Sequence, residues 1–230
     1  MPNTLGLDDD LDDVELLQSL EQTFALRFSQ SDAGTFYKVE DIYGFLRDHV
    51  EANGLDKRCA TSLAFYRLRR ALGHRVSGEV LRPSIELAPF AGRSANRLFQ
   101  KLAHETGLRM PRANSGWIAN VGALLCLAAL LAILPAAILG WSYWIPVSLF
   151  AAAIAAMKND PGKLPTDCRT LGDLSERVAG LNFAQMQKLG ARTRDKDIWN
   201  AMVEVMAQHS ILPREQIQPE TLLLETSLPK

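Results

Sequence analysis

Residues Trp117–Met157 read WIANVGALLCLAALLAILPAAILGWSYWIPVSLFAAAIAAM, and no Asp, Glu, Lys or Arg interrupts them. One helical span of a bilayer needs about 20 apolar residues, and this stretch is roughly twice that length. Within Leu139-Gly140-Trp141-Ser142-Tyr143-Trp144, Gly and Ser loosen a helix and the aromatics suit a membrane–water interface. The reading is a two-helix transmembrane hairpin, with spans at Trp117–Leu139 and Tyr143–Met157. Pro135 and Pro146 are expected to kink these helices, as lipid-embedded helices tolerate. A buried hairpin of a soluble domain is the alternative, and the uncharged length counts against it.

The flanks give an orientation. Arg109 and Arg112 precede the first span, while Lys158, Lys163 and Arg169 follow the second. Basic residues on both sides place both ends of a hairpin in the cytoplasm, which makes a multi-pass protein of the cell (inner) membrane. No charge lies inside either span, so nothing marks an ion path or proton relay there.

Composition agrees with cytoplasmic parts around an anchor. The chain has 230 residues, a formal charge of −1 and three cysteines. Cys59, Cys126 and Cys168 show no CxxC or metal spacing, and no disulfide framework is expected. The start, MPNTLGLDDDLDD, lacks the basic and apolar regions of a secretion signal. His49, His74, His104 and His209 are scattered, without the i, i+4 pairing of a metal helix, so no metal site is expected.

The N-terminal block is helical by its spacing. In DDDLDDVELLQSLEQTFALRF (8–28), Val14, Leu17, Leu20 and Phe24 recur at three and four, one stripe of a helix. The aspartates at its start cap free amides and meet the positive end of the helix dipole. Val39, Ile42, Leu46 and Val50 form a second stripe, opened by Glu40-Asp41.

Leu5-Gly6-Leu7, followed by Asp9-Asp10-Leu11-Asp12-Asp13-Val14-Glu15-Leu16, resembles the LG-x-DSLD-x-VEL motif of acyl carrier proteins with one extra acid. Glu21-x-x-Phe24 is similar to that family's E-x-x-F, and Val39-Glu40-Asp41-Ile42 to its T-V-G-D-L. The resemblance implies an all-α bundle that docks enzymes through an acidic helix, here Asp9, Asp12, Asp13, Glu15 and Glu21. The serine that bears 4′-phosphopantetheine in the family would fall on Asp10. A carboxylate offers no hydroxyl to attack coenzyme A, so the resemblance implies a carrier-type domain without that cofactor.

Residues 55–112 are strongly basic. Phe65, Leu68 and Leu72 form a stripe with arginines around it, and Ala95, Leu98, Phe99 and Leu102 form another. Immediately before a membrane segment, Arg67, Arg69, Arg70, Arg109 and Arg112 are expected to meet anionic lipid headgroups; nucleic acid is the less simple partner and is not expected. Thr170-Leu171-Gly172-Asp173-Leu174 repeats Val39–Ile42 in kind and has capping-box spacing. Thus 55–112 with 163–182 reads as a second carrier-like bundle into which the hairpin 117–157 is inserted. Ser94 opens a helix there, as an N-cap.

After a linker at 183–196, the C-terminal block 197–230 carries Ile198, Met202, Val205 and Met206 on one face, then Pro213 and Ile217-x-Pro219-Glu220-Thr221. It is similar to the first helix and loop of an acyl carrier protein. The N-terminal block 1–54 begins where that loop would continue. The resemblance therefore implies a circular permutation, closed within one chain or between two chains of a homodimer. The function expected is a non-enzymatic, membrane-anchored interaction protein whose partners are membrane lipids and the basic surfaces of enzymes of acyl or lipid metabolism. A carrier modified on a non-standard serine (Ser94 or Ser227) and a membrane-associated enzyme or transporter component are the alternatives.

Overall fold

The computed structural model describes residues 3–7, 12–50, 58–73, 81–139 and 144–224, with side chains throughout except at 133–139. In chain order the elements are β1 (Thr4–Leu7), α1 (Asp12–Phe24), α2 (Gln30–Ala33), α3 (Val39–His49), α4 (Ala60–Gly73), α5 (Ala88–Ala91), α6 (Ala95–Thr106), α7 (Trp117–Leu139), α8 (Trp144–Lys158), α9 (Leu171–Leu181), α10 (Phe183–Lys188), α11 (Asp195–His209), a 3-10 turn (Arg214–Gln216) and β2 (Leu222–Leu224). The chain is mostly helical, the class predicted from its sequence. It divides into two units: Met1–Ile85, Leu102–Pro111 and Thr170–Lys230 form the first, Glu86–Lys101 and Arg112–Arg169 the second.

In the first unit, α11 packs against α1, α3 and α9. Its residues Ala201, Met202, Val203, Glu204, Val205 and Met206 are consecutive and all buried, so the helix is enclosed rather than amphipathic. Ile198, Met202, Val205 and Met206 share one apolar cluster with Leu5, Leu16, Leu20, Phe24, Val39, Ile42 and Leu46. Trp199 meets Tyr43 of α3 edge-on, with ring centroids 5.3 Å apart. Segments between Leu5 and Val50 and between Ile198 and Leu223 thus share a core.

Details depart from the sequence reading for local reasons. On α1 the buried row is Leu16, Leu20 and Phe24, with Thr23 beside it, while Val14 is exposed; the core meets the i, i+4 row of the helix instead of the i, i+3 row. On α4, Ala64, Leu68, Ala71 and Leu72 are buried, and Phe65 is only half-buried. The supposed linker 183–196 holds α10, whose Phe183 and Met186 are buried. Phe183 packs on Phe24 at 4.8 Å between centroids, which gives this segment the apolar anchor that a linker lacks.

The two strands pair in parallel, and Leu222 N–H donates to Asn3 O at 2.9 Å. Leu5 and Leu7 point into the core. Between them Gly6 has φ +69°, and a Cβ there would stand 2.7 Å from Ile211 Cδ1. The left-handed backbone favours glycine at this position, while the exposed Ile211 side chain is free to move aside.

One backbone clasp occurs twice. At the start of α3, Val39 N–H donates to Thr221 O (3.0 Å) and Glu40 N–H to Pro219 O (3.0 Å), while Leu223 N–H donates to Tyr37 O (3.0 Å). At the start of α9, Leu171 N–H donates to Ile85 O (2.9 Å) and Gly172 N–H to Pro83 O (2.7 Å); Leu87 N–H donates to Arg169 O (2.8 Å). The register is identical, Pro219-x-Thr221-x-Leu223 against Pro83-x-Ile85-x-Leu87. Each helix has an acid three residues inside its cap. Asp41 accepts from Lys38 N–H at 2.8 Å and Asp173 from Thr170 N–H at 2.9 Å. In both copies a Pro-x-x segment satisfies free amides at a helix start that would otherwise need water.

In the second unit α7 and α8 form a hairpin. Among the described residues the buried positions are Gly122 and Ala129 on α7 and Pro146 and Ala153 on α8, each pair seven residues apart. A Cβ on Gly122 would lie 3.1 Å from Ala153 O and 2.6 Å from Met157 Cγ, so the helices touch through their smallest residues. Asp160 accepts Gly116 N–H at 2.6 Å and closes the start of α7, where a carboxylate also meets the positive end of the dipole. Ser94 Oγ and Asn96 N–H donate to Pro161 O at 2.9 and 3.1 Å. Asn114 and Lys163 exchange backbone bonds of 3.0 and 2.8 Å. These bonds tie the open end of the hairpin.

The expected pair of membrane spans is corrected. Among the described residues no helix is long and apolar enough to cross a membrane. Helix α8 has 15 residues, fewer than the ~20 apolar residues of one span.

Truncating Met202 or Leu20 to Ala is expected to cost about 2–5 kcal/mol each, as buried large-to-small changes do. Urea unfolding of the first unit, followed by Trp199 fluorescence, measures this. A cost below ~1 kcal/mol at both sites contradicts a shared core.

Candidate functional site

The residues singled out in the sequence fall into separate places. Asp10, where the resemblance would put the phosphopantetheine serine, and Asp9 lie outside the described residues. Asp12, Asp13 and Glu15 occupy the first turn of α1, where their charge complements the helix dipole. Glu15 is exposed and Asp12 and Asp13 are half-buried. Glu21 has a different task. Its Oε1 accepts Phe28 N–H at 2.8 Å and holds the bend after α1, where Ala25 has φ 54°.

The five arginines likewise separate. Arg67 and Arg70 stand one turn apart on α4 and line a cleft of about 620 Å³ with Ala71 and with His104, Glu105 and Thr106 of α6. Arg69 is not among its lining residues. Arg109 Nη1 donates to Thr23 Oγ1 at 3.0 Å. The Arg109 backbone is gripped by the Asn182 amide, with Arg109 N–H to Asn182 Oδ1 at 2.8 Å and Asn182 Nδ2 to Arg109 O at 2.9 Å. Arg109 therefore ties the segment after α6 to α1 and to the end of α9. Arg112 is exposed in the second unit.

Sequence reading passed over the buried charge of the first unit. Glu204 of α11, 1% exposed, accepts Arg177 Nε of α9 at 2.7 Å. Arg214 approaches the other oxygen of Glu204 at 3.7 Å and donates to Glu176 at 2.9 Å. Gly180 faces this crossing, and a Cβ there would make ordinary contact with Ala201 and Glu204 at 3.4 Å. The signal was present: one acid inside the apolar run AMVEVMA and one base inside LSERVAGL.

Ser94 Oγ, besides donating to Pro161 O, accepts Arg97 N–H at 3.3 Å. It is the N-cap of α6, with its hydroxyl engaged. Ser19 Oγ and His209 Nε2 lie 2.9 Å apart between α1 and α11, yet neither lines a described cleft. The perturbed acid and base belong to helix starts. The hydrogen bonds of the Ser29 side chain and amide hold the Asp32 carboxyl below the usual range, and the hydrogen bond to Asp197 raises Arg194. Among the described residues no group of three or more His, Cys, Asp or Glu could hold a metal ion.

On the hairpin the usual distribution is inverted. Leu124, Leu127, Leu131, Trp144 and Ile145 are 68%, 56%, 64%, 75% and 72% exposed, while glycine and alanine fill the contact between the helices. Soluble monomers rarely show a continuous apolar surface of this kind. Close packing through small residues with large apolar side chains outward suits an apolar solvent.

Comparison with known proteins returns no matching family, no matching curated protein and no matching solved structure.

Breaking the buried pair on one side, by Arg177→Met, is expected to cost about 3–5 kcal/mol, because the buried Glu204 carboxylate loses its 2.7 Å hydrogen-bonded partner. Replacing both partners (Arg177→Met with Glu204→Leu) should recover much of that loss. Thermal melts of the two variants check this; equal loss in both contradicts it.

Proposed function

We propose that this chain is a non-enzymatic interaction protein, in which carrier-like helical modules are held at a membrane by the apolar hairpin and dock enzymes of acyl or lipid metabolism. The single observation that carries the membrane part is the inverted hairpin, with Leu124, Leu127 and Leu131 outward and Gly122 and Ala129 inward. The bilayer contact proposed is insertion of the hairpin into the hydrocarbon from one face, which needs no full span. Both flanks then stay on one side, and the basic residues Arg112, Lys158, Lys163 and Arg169 favour the cytoplasmic face of the inner membrane. Trp117, exposed at the start of α7, suits the headgroup level.

The carrier-like part rests on the repeated clasp at α3 and α9 and on the union of the first and last segments in one core. Both are what a permuted module and an inserted second module require. The acidic first turn of α1 is the surface offered to basic patches of partner enzymes, where charge complementarity governs encounter more than affinity. No 4′-phosphopantetheine is assigned, because Asp10 has no hydroxyl and the Ser94 hydroxyl is engaged as a helix cap.

Flotation with vesicles of neutral phosphatidylcholine tests the anchor. The full chain should float with the vesicles, and Leu127→Glu with Leu131→Glu should remain at the bottom of the gradient. Recovery of the wild-type chain in the soluble fraction contradicts the membrane reading. Intact-mass measurement after co-expression with a broad phosphopantetheinyl transferase should show the unmodified chain; an added arm on any serine favours an active carrier instead.

A further inference from the structure

We propose that the cleft between α4 and α6 is a binding site for a phosphate monoester. Arg67 and Arg70 project from successive turns of α4, and His104 closes the opposite wall from the last turn of α6. Guanidinium groups form paired N–H bonds to phosphate oxygens, a planar geometry that a lysine cannot reproduce.

The other polar lining groups leave the arginines to a ligand. Thr106 Oγ1 donates to Leu102 O at 2.6 Å and accepts Leu108 N–H at 3.3 Å, so its hydroxyl is in use. Glu105 has a polar interaction of its own. Among the described residues Arg67 and Arg70 pair with no carboxylate, in contrast with Arg177, Arg194 and Arg214. Among the described lining residues Glu105 is the one carboxylate, against two arginines. A volume of about 620 Å³ falls within the range of small-molecule sites, roughly 300–1,000 Å³. It exceeds what a bare phosphate fills, and Ala71 gives the cleft an apolar patch for the carbon part of an ester.

The phosphate could arrive on a soluble ester or on a lipid headgroup; the chemistry of recognition is the same. The site is independent of the membrane reading, because cleft and hairpin belong to different units and a chain that fails to float can still bind a soluble ester.

The full chain in neutral detergent micelles, titrated calorimetrically with glycerol 3-phosphate, tests the site. Saturable binding that weakens at least tenfold in Arg67→Gln/Arg70→Gln, but not in Arg69→Gln, supports a soluble ester. The same pattern seen only with phosphatidic acid in phosphatidylcholine vesicles supports a headgroup. Arg69, on the same helix and outside the cleft, controls for loss of a charge as such, and an unchanged melting temperature of the double variant controls for folding. Equal binding by wild type, the double variant and Arg69→Gln overturns the proposal, as does no binding of either probe by the wild type.

Discussion

Burial of α11 on three sides is the contact on which the first unit depends. A helix with Ala201 through Met206 all enclosed has no face for water, so it must find α1, α3 and α9 before it is stable. Each large apolar side chain so buried contributes roughly 1.5–3 kcal/mol, and the fixed backbone costs a comparable amount per residue. Neither the N-terminal block nor the C-terminal block alone is long enough to offset that cost, because segments of this size bury too little of their surface. The two ends of the chain therefore stabilise each other, and the parallel pairing of Thr4–Leu7 with Leu222–Leu224 holds the junction.

The same logic is inverted in the second unit. There the close contact uses Gly122, Ala129, Pro146 and Ala153, and the side chains with most apolar area face outward. Water penalises that arrangement and hydrocarbon does not. The polar bonds of Asp160, Asn96 and Ser94 gather at the open end of the hairpin, where backbone amides at the start of α7 and the carbonyl of Pro161 need partners.

Much of the helical architecture was legible because it rests on periodicity. Ala95, Leu98, Phe99 and Leu102 on α6 are buried as their spacing suggests. The likeness of Val39–Ile42 to Thr170–Leu174 was visible as letters, but the matching clasp by Pro219 and Pro83 was not, since backbone hydrogen bonds leave little trace in side-chain identity. Register within a stripe was also beyond reach: Val14 and Leu16 are equally apolar, and only the position of α11 decides which is buried. Of the candidate sites, the sequence marked Arg67 and Arg70 as basic but could not separate them from Arg69 or Arg109, because that depends on α6 and on Asn182. Glu204 stood out only as an acid in an apolar run, and its partner lies 27 residues away. The second expected span, Tyr143–Met157, was already short of a full crossing in the sequence, and α8 has 15 residues.

Amide hydrogen exchange tests the closure of the two chain ends most directly. Leu222 and Leu223 donate to Asn3 and Tyr37, far from them in sequence. If the ends form one cooperative core, these two amides exchange with the same protection as those in the middle of α1 and α11, and a destabilising change in either block lowers all of them together. Rapid exchange at Leu222 and Leu223 while α1 stays protected would contradict the account.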